Sequence, residues 1–519
     1  MIRLVLATLV VLTTGLPSGA RAAAVDWRDQ SIYFVMTDRF KNGDPGNDLD
    51  SVAGRPGWWE GGDLQGIIDE LGYIKSLGMT AIWITPVTEQ TPGGYHGYWT
   101  LDFYKVDPHL GDLAKLKELV TKAHGMGLKI VLDVVINHTG YGHPWLDDPA
   151  HAGWFHDDCA INFASQRSIE DCRLAGLPDL NTETPAVQQY LTDWALWLIG
   201  ETNVDGFRLD TARHVPKAFL SQWIAAIKRP HPDFWIVGEV FSSDYAYQAS
   251  YLDAGLDAVT DFQTYDSIRM GLGTKSDLSR LTWPPALASN LMPGHDDATR
   301  ATFIDNHDVA RFIGSAEADD ETKARLEQAI AYLYTMPGVP ILYYGTEVAL
   351  RGGSDPDNRR LMPWDDSNTD VRSFTTTMTR LRREDAVFQR GTYAEVLSNA
   401  DELVYSRVLG DTLAIVAFNG SDTDTKDVPA EQVSIPSDKV VQLALLTPGA
   451  ELRRGTAGGL TFHLPPRGIV VVTTASSLAF PTTGVAPLLE GAAFVFAGIL
   501  LGALIPISGV LRMRFTRRS

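Results

Sequence analysis

The chain has 519 residues, 45% of them hydrophobic, which is enough for a large buried core and for more than one domain. Its formal charge of −20, with no basic patch in the body of the chain, argues against nucleic acid or any other polyanion as a partner. The 13 Trp and 17 Tyr are numerous, but by composition alone they suit core packing as well as ligand stacking.

Residues 1–24 open with Arg3, run through LVLATLVVLTTGL and close on the small residues of GARAAA. That is the layout of a secretory signal peptide cleaved near Ala22 to Ala24, and the apolar run is short for a membrane span. Export is expected. From residue 25 to about 385, short apolar runs alternate with longer helical patterns such as Leu113–Met126 and Thr184–Gly200. The runs are 31–38, 80–86, 128–137, 204–210, 234–240, a weaker one at 257–262, 301–306 and 340–345. Continuous rather than alternating apolarity means burial on both faces. Eight such strand–helix units predict an α/β fold, a (β/α)8 barrel.

The connection after the third run, residues 139–180, is rich in Gly, His, Asp and Trp and too long for an ordinary loop. It reads as an inserted lobe. Both cysteines, Cys159 and Cys172, lie in it, and a disulfide closing that short loop is expected of an exported chain. From residue 386 to 475 the texture changes to short strand patterns, ELVYSRVLG, TLAIVAFNG, VVQLALL and GIVVVTT, which predict a C-terminal β-sandwich. Residues 476–519 form a tail in which Gly491 to Val510 is free of charge and is followed by LRMRFTRRS. This reads as a membrane span with its basic end on the cytoplasmic side. Ahead of it, Phe480-Pro-Thr-Thr-Gly484 resembles a bacterial cell-wall sorting signal with Phe in place of the usual Leu, and a plain linker before a retained anchor is the other reading.

Reactive groups in such a barrel belong at the C-terminal ends of the strands. There the third strand brings Asp133, Asn137 and His138, and the fourth brings Arg208, Asp210 and His214. The fifth brings Glu239 and the seventh Asp305, Asn306, His307 and Asp308. Cleaving an acetal needs a proton donor for the leaving oxygen and a nucleophile or base for the anomeric carbon. Arg208 and Asp210 face the same way on a strand, so the guanidinium is expected to keep Asp210 ionised. Glu239 follows the apolar run FWIV, where desolvation would raise its pKa as an acid requires. Asp308 can hold negative charge against a developing oxocarbenium ion.

DVVINH (133–138), GFRLDTARH (206–214), GEV (238–240) and FIDNHD (303–308), with LPDLN (177–181), match in order the signature segments of the α-amylase family, glycoside hydrolase family 13. The resemblance covers about Trp27 to Thr474. It implies Asp210 as nucleophile, Glu239 as general acid/base and Asp308 as transition-state stabiliser. By the same match His96 and Tyr98, in YHGYW, sit at the sugar being cleaved, with His138, Arg208 and His307 bonding it. Asp355 and Arg359, in DPDNR, would grip the next glucose on the non-reducing side.

The resemblance also implies calcium, held by Asn137, Asp179 and the backbone carbonyl of His214, clamping the lobe on the barrel. A second loop, Asp38, Asn42, Asp44, Asn47 and Asp48 with Asp63, resembles a calcium loop of cyclodextrin glucanotransferases. Arg213 replaces the Lys common in α-amylases. The expected substrate is an α-1,4-glucan, the expected state a monomer. Glucanotransferases carry aromatic residues after the nucleophile segment, where this chain has Phe219 and Trp223.

Overall fold

The computed structural model describes residues 25–273, 277–316, 318–365, 368–430, 433, 441–454 and 459–475. The expected signal peptide (1–24) and the tail (476–519) lie outside the described residues. Among the described residues no helix is long and apolar enough to cross a membrane.

Eight parallel strands close a barrel in chain order: Ile32–Val35, Ala81–Ile84, Lys129–Val134, Gly206–Leu209, Trp235–Gly238, Ala258–Thr260, Arg300–Phe303 and Val339–Tyr343. All eight apolar runs of the sequence became barrel strands. Their burial is continuous because one face points into the barrel and the other meets helices. Long helices such as Leu113–Gly125, Pro185–Thr202 and Lys217–Lys228 cover the outside.

Two features between strands shape the upper rim. After the second strand the chain forms a hairpin, Thr88–Gln90 with Thr100–Val106, which the sequence reading missed; its loop holds His96 and Tyr98. After the third strand comes the 139–180 lobe, with several short 3-10 turns and one short helix, Gln166–Asp171. Two isolated bridges, His138 to Asp179 and Phe155 to Leu180, stitch it to itself and to the rim. Cys159 and Cys172 are disulfide-bonded within it, 13 residues apart in sequence.

The C-terminal region has two antiparallel sheets. The larger runs Thr392–Ser398, Glu402–Leu409, Thr412–Asn419, Ile469–Thr473, Gln442–Leu446; the smaller runs Lys426–Ala430, Leu460–Leu464, Glu451–Arg454. Val404, Ile415, Val470 and Val472 pack on Val428, Phe462 and Leu464 of the smaller sheet. Their alternate neighbours Leu403, Tyr405, Val416, Phe418, Ile469 and Val471 join the barrel core instead. Both faces of the larger sheet are therefore covered, which explains the unbroken apolar runs AIVAF and IVVV. Polar bonds at the junction, including Gln328 Nε2 to the Asn419 carbonyl at 2.8 Å and Arg325 to Asp422 at 2.9 Å, fix the docking.

The lobe has little regular structure of its own, so the disulfide matters to it. Replacing both cysteines by Ser is expected to cost the lobe about 3 kcal/mol. Limited proteolysis should then cut faster between residues 157 and 176; unchanged cleavage would mean that packing alone holds the loop.

Candidate active site

The fourth strand ends at Leu209, and Asp210 follows it at the rim. Arg208 sits inside that strand, 1% exposed, in register with Asp133 of the third strand. Its Nη1 donates to both Asp133 oxygens at 3.0 and 3.1 Å and to Asp210 Oδ1 at 2.6 Å. Its Nη2 lies 2.8 Å from Glu239 Oε1. One guanidinium thus faces three carboxylates. Asp133 is held further by the Tyr98 hydroxyl at 2.7 Å and the Trp83 indole N–H at 3.1 Å.

Glu239 stands just past the fifth strand, next to Gly238. A Cβ at Gly238 would lie 2.3 Å from a Leu256 methyl and 3.1 Å from the Ala212 Cβ, so any larger residue would have to displace the packed Leu256 side chain. The other Glu239 oxygen accepts the Thr211 N–H at 3.0 Å. Thr211 reaches it from a left-handed conformation, φ 48° and ψ 34°, which is uncommon for a β-branched residue and is typical of functional sites. Asp308, beyond the seventh strand, lies 3.4 Å from Arg359 Nη2 and 3.4 Å from His307 Nε2.

The electrostatics differ from the sequence expectation at one point. Burial pushes Asp210 well above the usual carboxylate range, against the pull of Arg208, with Glu239, Asp133 and Asp308 adding to the rise. Glu239 is raised by burial too, again opposed by Arg208 and helped by Asp308. Burial raises Asp133 to about 6. Arg208 therefore does not single out Asp210 for ionisation. Shared among three buried acids, its charge leaves a surplus of negative groups that retain protons. The imidazoles go the other way: burial holds His96 and His307 well below the ordinary histidine value, with Arg359 adding to both, and takes His138 to about 4. These rings are neutral near pH 7.

A cleft of about 680 Å³ opens over these groups. Asp210, Glu239, Asp308, His96, Tyr98, His138, His307, Asp355 and Arg359 all line it. Arg208 lies beneath, bonded to two of them. The Tyr98 ring is near-parallel to His96 and to His307, with centroids 5.7 and 5.2 Å away. His96 Nδ1 accepts the Tyr98 N–H at 3.1 Å, so the neutral ring carries its proton on Nε2. The buried Nδ1 of His307 has no protein partner. His138 differs, because both its nitrogens have protein partners: the Tyr98 carbonyl at 3.2 Å and the Asn137 amide at 3.3 Å. Arg359 bridges Asp308 and the half-exposed Asp355, the latter at 3.1 Å.

The expected calcium ligands are partly assembled. Asp179 is 1% exposed; its partners are the Asn137 amide at 3.1 Å and His156 Nδ1 at 2.7 Å. Burial pushes its carboxyl up to about 7, a hard oxygen donor short of positive charge. His214 sits in the turn Ala212–His214, with its ring on the Ile169 carbonyl at 3.0 Å, so lobe and rim meet there. The second loop is different. Asp38 bonds the Arg39 guanidinium at 2.9 Å and the N–H groups of Glu60 and Gly61. Asp63 accepts the N–H groups of Gly43, Asp44 and Gly66. Asn42 donates to Asp48 at 2.7 Å, Asp44 accepts from Gly46, and Asn47 ends the turn Pro45–Asn47. In this structure Asp38 and Asp63 serve an ion pair and the turns of their own loop.

Several site residues escaped the sequence reading. Asp133 was visible in its motif, but its role depends on register with Arg208, which a single sequence does not carry. Tyr95 opens the YHGYW segment but was given no role there; its hydroxyl meets Arg359 at 3.3 Å, and the exposed cleft aromatics Tyr141, Phe163 and Phe241 had no motif to mark them. Phe219 and Trp223, in contrast, are buried in the helix Lys217–Lys228 and line no cleft. Arg213 donates to the Phe241 carbonyl and lies over the Phe163 ring at 5.9 Å.

Removing the shared cation should be costly. Arg208→Ala is expected to destabilise the fold by about 3–5 kcal/mol, because it strands buried acids. Adding Asp133→Asn should recover part of that loss. Urea unfolding of the two variants is the check, and an Arg208→Ala protein as stable as the parent would sink the account.

Comparison with known proteins agrees with this geometry. The family model described as "Alpha amylase, catalytic domain" matches residues 34–408. The chain is 40% identical over 425 residues to the Beta/alpha-amylase of Paenibacillus polymyxa, covering 78% of this chain and 35% of that protein. It is 30% identical over 482 residues to a cyclomaltodextrin glucanotransferase of Klebsiella oxytoca, covering 80% of this chain and 73% of that one. Among solved structures, the alpha-amylase from Geobacillus thermoleovorans complexed with acarbose superposes with a TM-score of 0.80 at 37% identity, over 86% of this chain and 99% of that one. The chain spans about a third of the Paenibacillus relative. On this match and this barrel, the chain belongs to the α-amylase family of glycoside hydrolases.

Proposed function

We propose that the chain hydrolyses internal α-1,4-glucosidic bonds of starch, glycogen or maltodextrins with retention of configuration. The observation that carries this is the bridging of Asp210 and Glu239 by adjacent nitrogens of one guanidinium, at 2.6 and 2.8 Å. Such bridging holds the two carboxyl groups close, as a double displacement requires at about 5–5.5 Å; an inverting pair would stand roughly 6.5–9.5 Å apart to admit a water. Asp210 attacks the anomeric carbon in the state in which the proton retained by the crowded acids sits on Glu239, which passes it to the leaving oxygen. Water then releases the glycosyl-enzyme, with Glu239 as base. Asp308 stabilises the oxocarbenium-like transition state. Neutral His96 and His307 bond sugar hydroxyls without adding charge, Tyr98 offers its ring, and Asp355 with Arg359 holds the preceding glucose.

Placement of Phe219 in the core supports hydrolysis over cyclisation. The second reading, glucanotransferase or maltogenic action, draws on the exposed rings of Phe163 and Phe241 in the cleft, which could hold an acceptor sugar against water. A product profile on starch, pullulan and cyclodextrin separates them: new reducing ends with linear products support hydrolysis, and cyclic or transfer products from starch overturn it. A catalytically silent glucan-binding role is disfavoured by the three acids. Glu239→Gln is expected to lower kcat by at least about a hundredfold while starch binding persists. Loss of both together would make Glu239 structural.

Calcium would be held by Asn137, Asp179 and the His214 carbonyl, an oxygen set suited to a hard cation. It would supply the charge that Asp179 lacks and join the lobe to the rim. EGTA is therefore expected to lower the melting temperature, with added Ca²⁺ restoring it; no change in either direction would count against the site. The N- and C-terminal patterns support export and attachment at the cell surface through the tail, by a retained span or a sorting signal.

A further inference from the structure

The lobe contains a second group of side chains that glucan chemistry does not use. His156, Asp171 and Glu183 each offer one ligand atom, and these atoms all lie within 4.8 Å of one another. The three residues come from separately anchored segments. His156 donates its backbone N–H to the Asp179 carbonyl at 3.0 Å, beside the bridge between Phe155 and Leu180. Asp171 ends the helix Gln166–Asp171, directly before the disulfide-bonded Cys172. Glu183 precedes Thr184, whose hydroxyl donates to the Gly153 carbonyl at 3.1 Å as the helix Pro185–Thr202 begins.

An imidazole sets this group apart from an ordinary patch of surface acids. Nδ1 of His156 is bonded to Asp179 Oδ2 at 2.7 Å, and Asp179 is 1% exposed. Asp179 holds Nδ1, and Nε2 is turned toward Glu183 Oε2, 3.2 Å away, where a bound cation would take the place of the proton between them. A buried carboxylate that grips one imidazole nitrogen while the other meets further donors fixes tautomer and orientation, as in metal-ligating histidines. The hydroxyl of Thr182, next to Glu183 and 1% exposed, has no protein partner. Charge points the same way. Asp171, Asp179 and Glu183 outnumber His156 and Arg167, and Arg167 is a largely exposed side chain 2.9 Å from Asp171.

We propose that His156, Asp171 and Glu183 bind a divalent cation of the zinc class. One imidazole nitrogen with two carboxylate oxygens is a three-ligand set that Zn²⁺ completes with water, whereas Ca²⁺ takes six to eight oxygens. Its donor set is distinct from Asn137, Asp179 and the His214 carbonyl. Asp179 stands between the two, ligating in one and orienting His156 in the other. The segment from Leu174 to Leu177, just after Asp171, lines the cleft, so the ion would stiffen a substrate wall and take no part in bond cleavage.

Calorimetric titration of the chelator-treated, desalted full chain with Zn²⁺, in saturating Ca²⁺, tests this. About one Zn²⁺ per chain is expected, with a higher melting temperature and slower proteolysis between residues 157 and 176. Glu183→Gln should weaken Zn²⁺ binding more than about tenfold while leaving the metal-free melting temperature and starch hydrolysis unchanged. His156→Gln should abolish binding. No Zn²⁺ uptake, uptake unaltered by Glu183→Gln, or Zn²⁺ that Ca²⁺ displaces from a single shared site would each overturn the proposal.

Discussion

The Arg208 guanidinium is the constraint on which the rim of this barrel depends. It is fully buried, it faces Asp133 across the strand pairing, and it reaches Asp210 and Glu239 from below. Burying three carboxylates without a cation would cost several kcal/mol for each charge kept, so the arrangement exists only where closure of the barrel delivers that side chain to the centre. Its influence spreads outward. Asp133, fixed by Arg208, takes the Tyr98 hydroxyl and thereby locates the hairpin loop between Gln90 and Thr100. Tyr98 in turn lies along His96 and His307. Four strands and one hairpin are thus referred to a single cation.

That cation is too little charge for the acids around it, and the shortfall has a chemical use. Burial raises both Asp210 and Glu239, with Arg208 opposing in each case. Two neighbouring acids in this state share protons; they do not ionise together. A double displacement needs that division, one carboxylate free to attack and one carboxylic acid ready to donate. The Thr211 N–H reaches Glu239 but not Asp210 and favours the ionised form of Glu239, against the effect of burial, so the two acids differ in backbone support even though one guanidinium serves both. Around them the imidazoles stay neutral under the influence of burial, Arg208 and Arg359, and so add no positive charge beside the acids.

The barrel was legible because continuous apolar runs mark strands covered on both sides, and eight of them recur with helices between. The acids at the strand ends were legible because motif residues follow the apolar runs directly. Pairing was not. Asp133 and Arg208 are far apart in the chain and meet only through register, and the Thr88–Val106 hairpin is half-exposed and has no continuous apolar run to set it apart from a loop. The Asp-rich loop from Asp38 to Asp48 showed the opposite limit, since turn chemistry and cation chemistry draw on the same residues, and Asp38 and Asp63 bond backbone N–H groups and a guanidinium of their own loop here. Phe219 illustrates a related ambiguity: an aromatic after a catalytic segment can face a cleft or a core, and its helix turns it inward.

The lobe is where the cleft can vary without touching the chemistry. Its residues meet the barrel through polar clamps, namely the Asn137 amide on Asp179, the His214 ring on the Ile169 carbonyl and the His138–Asp179 bridge, and through Trp145, Trp154, Phe155 and Leu180, which join the main core. Polar clamps of this kind open at lower free energy than packed strands do. Leu174, Ala175, Leu177 and Phe163, which the lobe supplies to the cleft, sit on largely irregular backbone, while Asp210, Glu239 and Asp308 follow the ends of barrel strands. Loosening a clamp would widen the substrate groove and weaken sugar binding before it disturbed the acids. Chemistry and substrate fit are thus carried by different parts of the molecule.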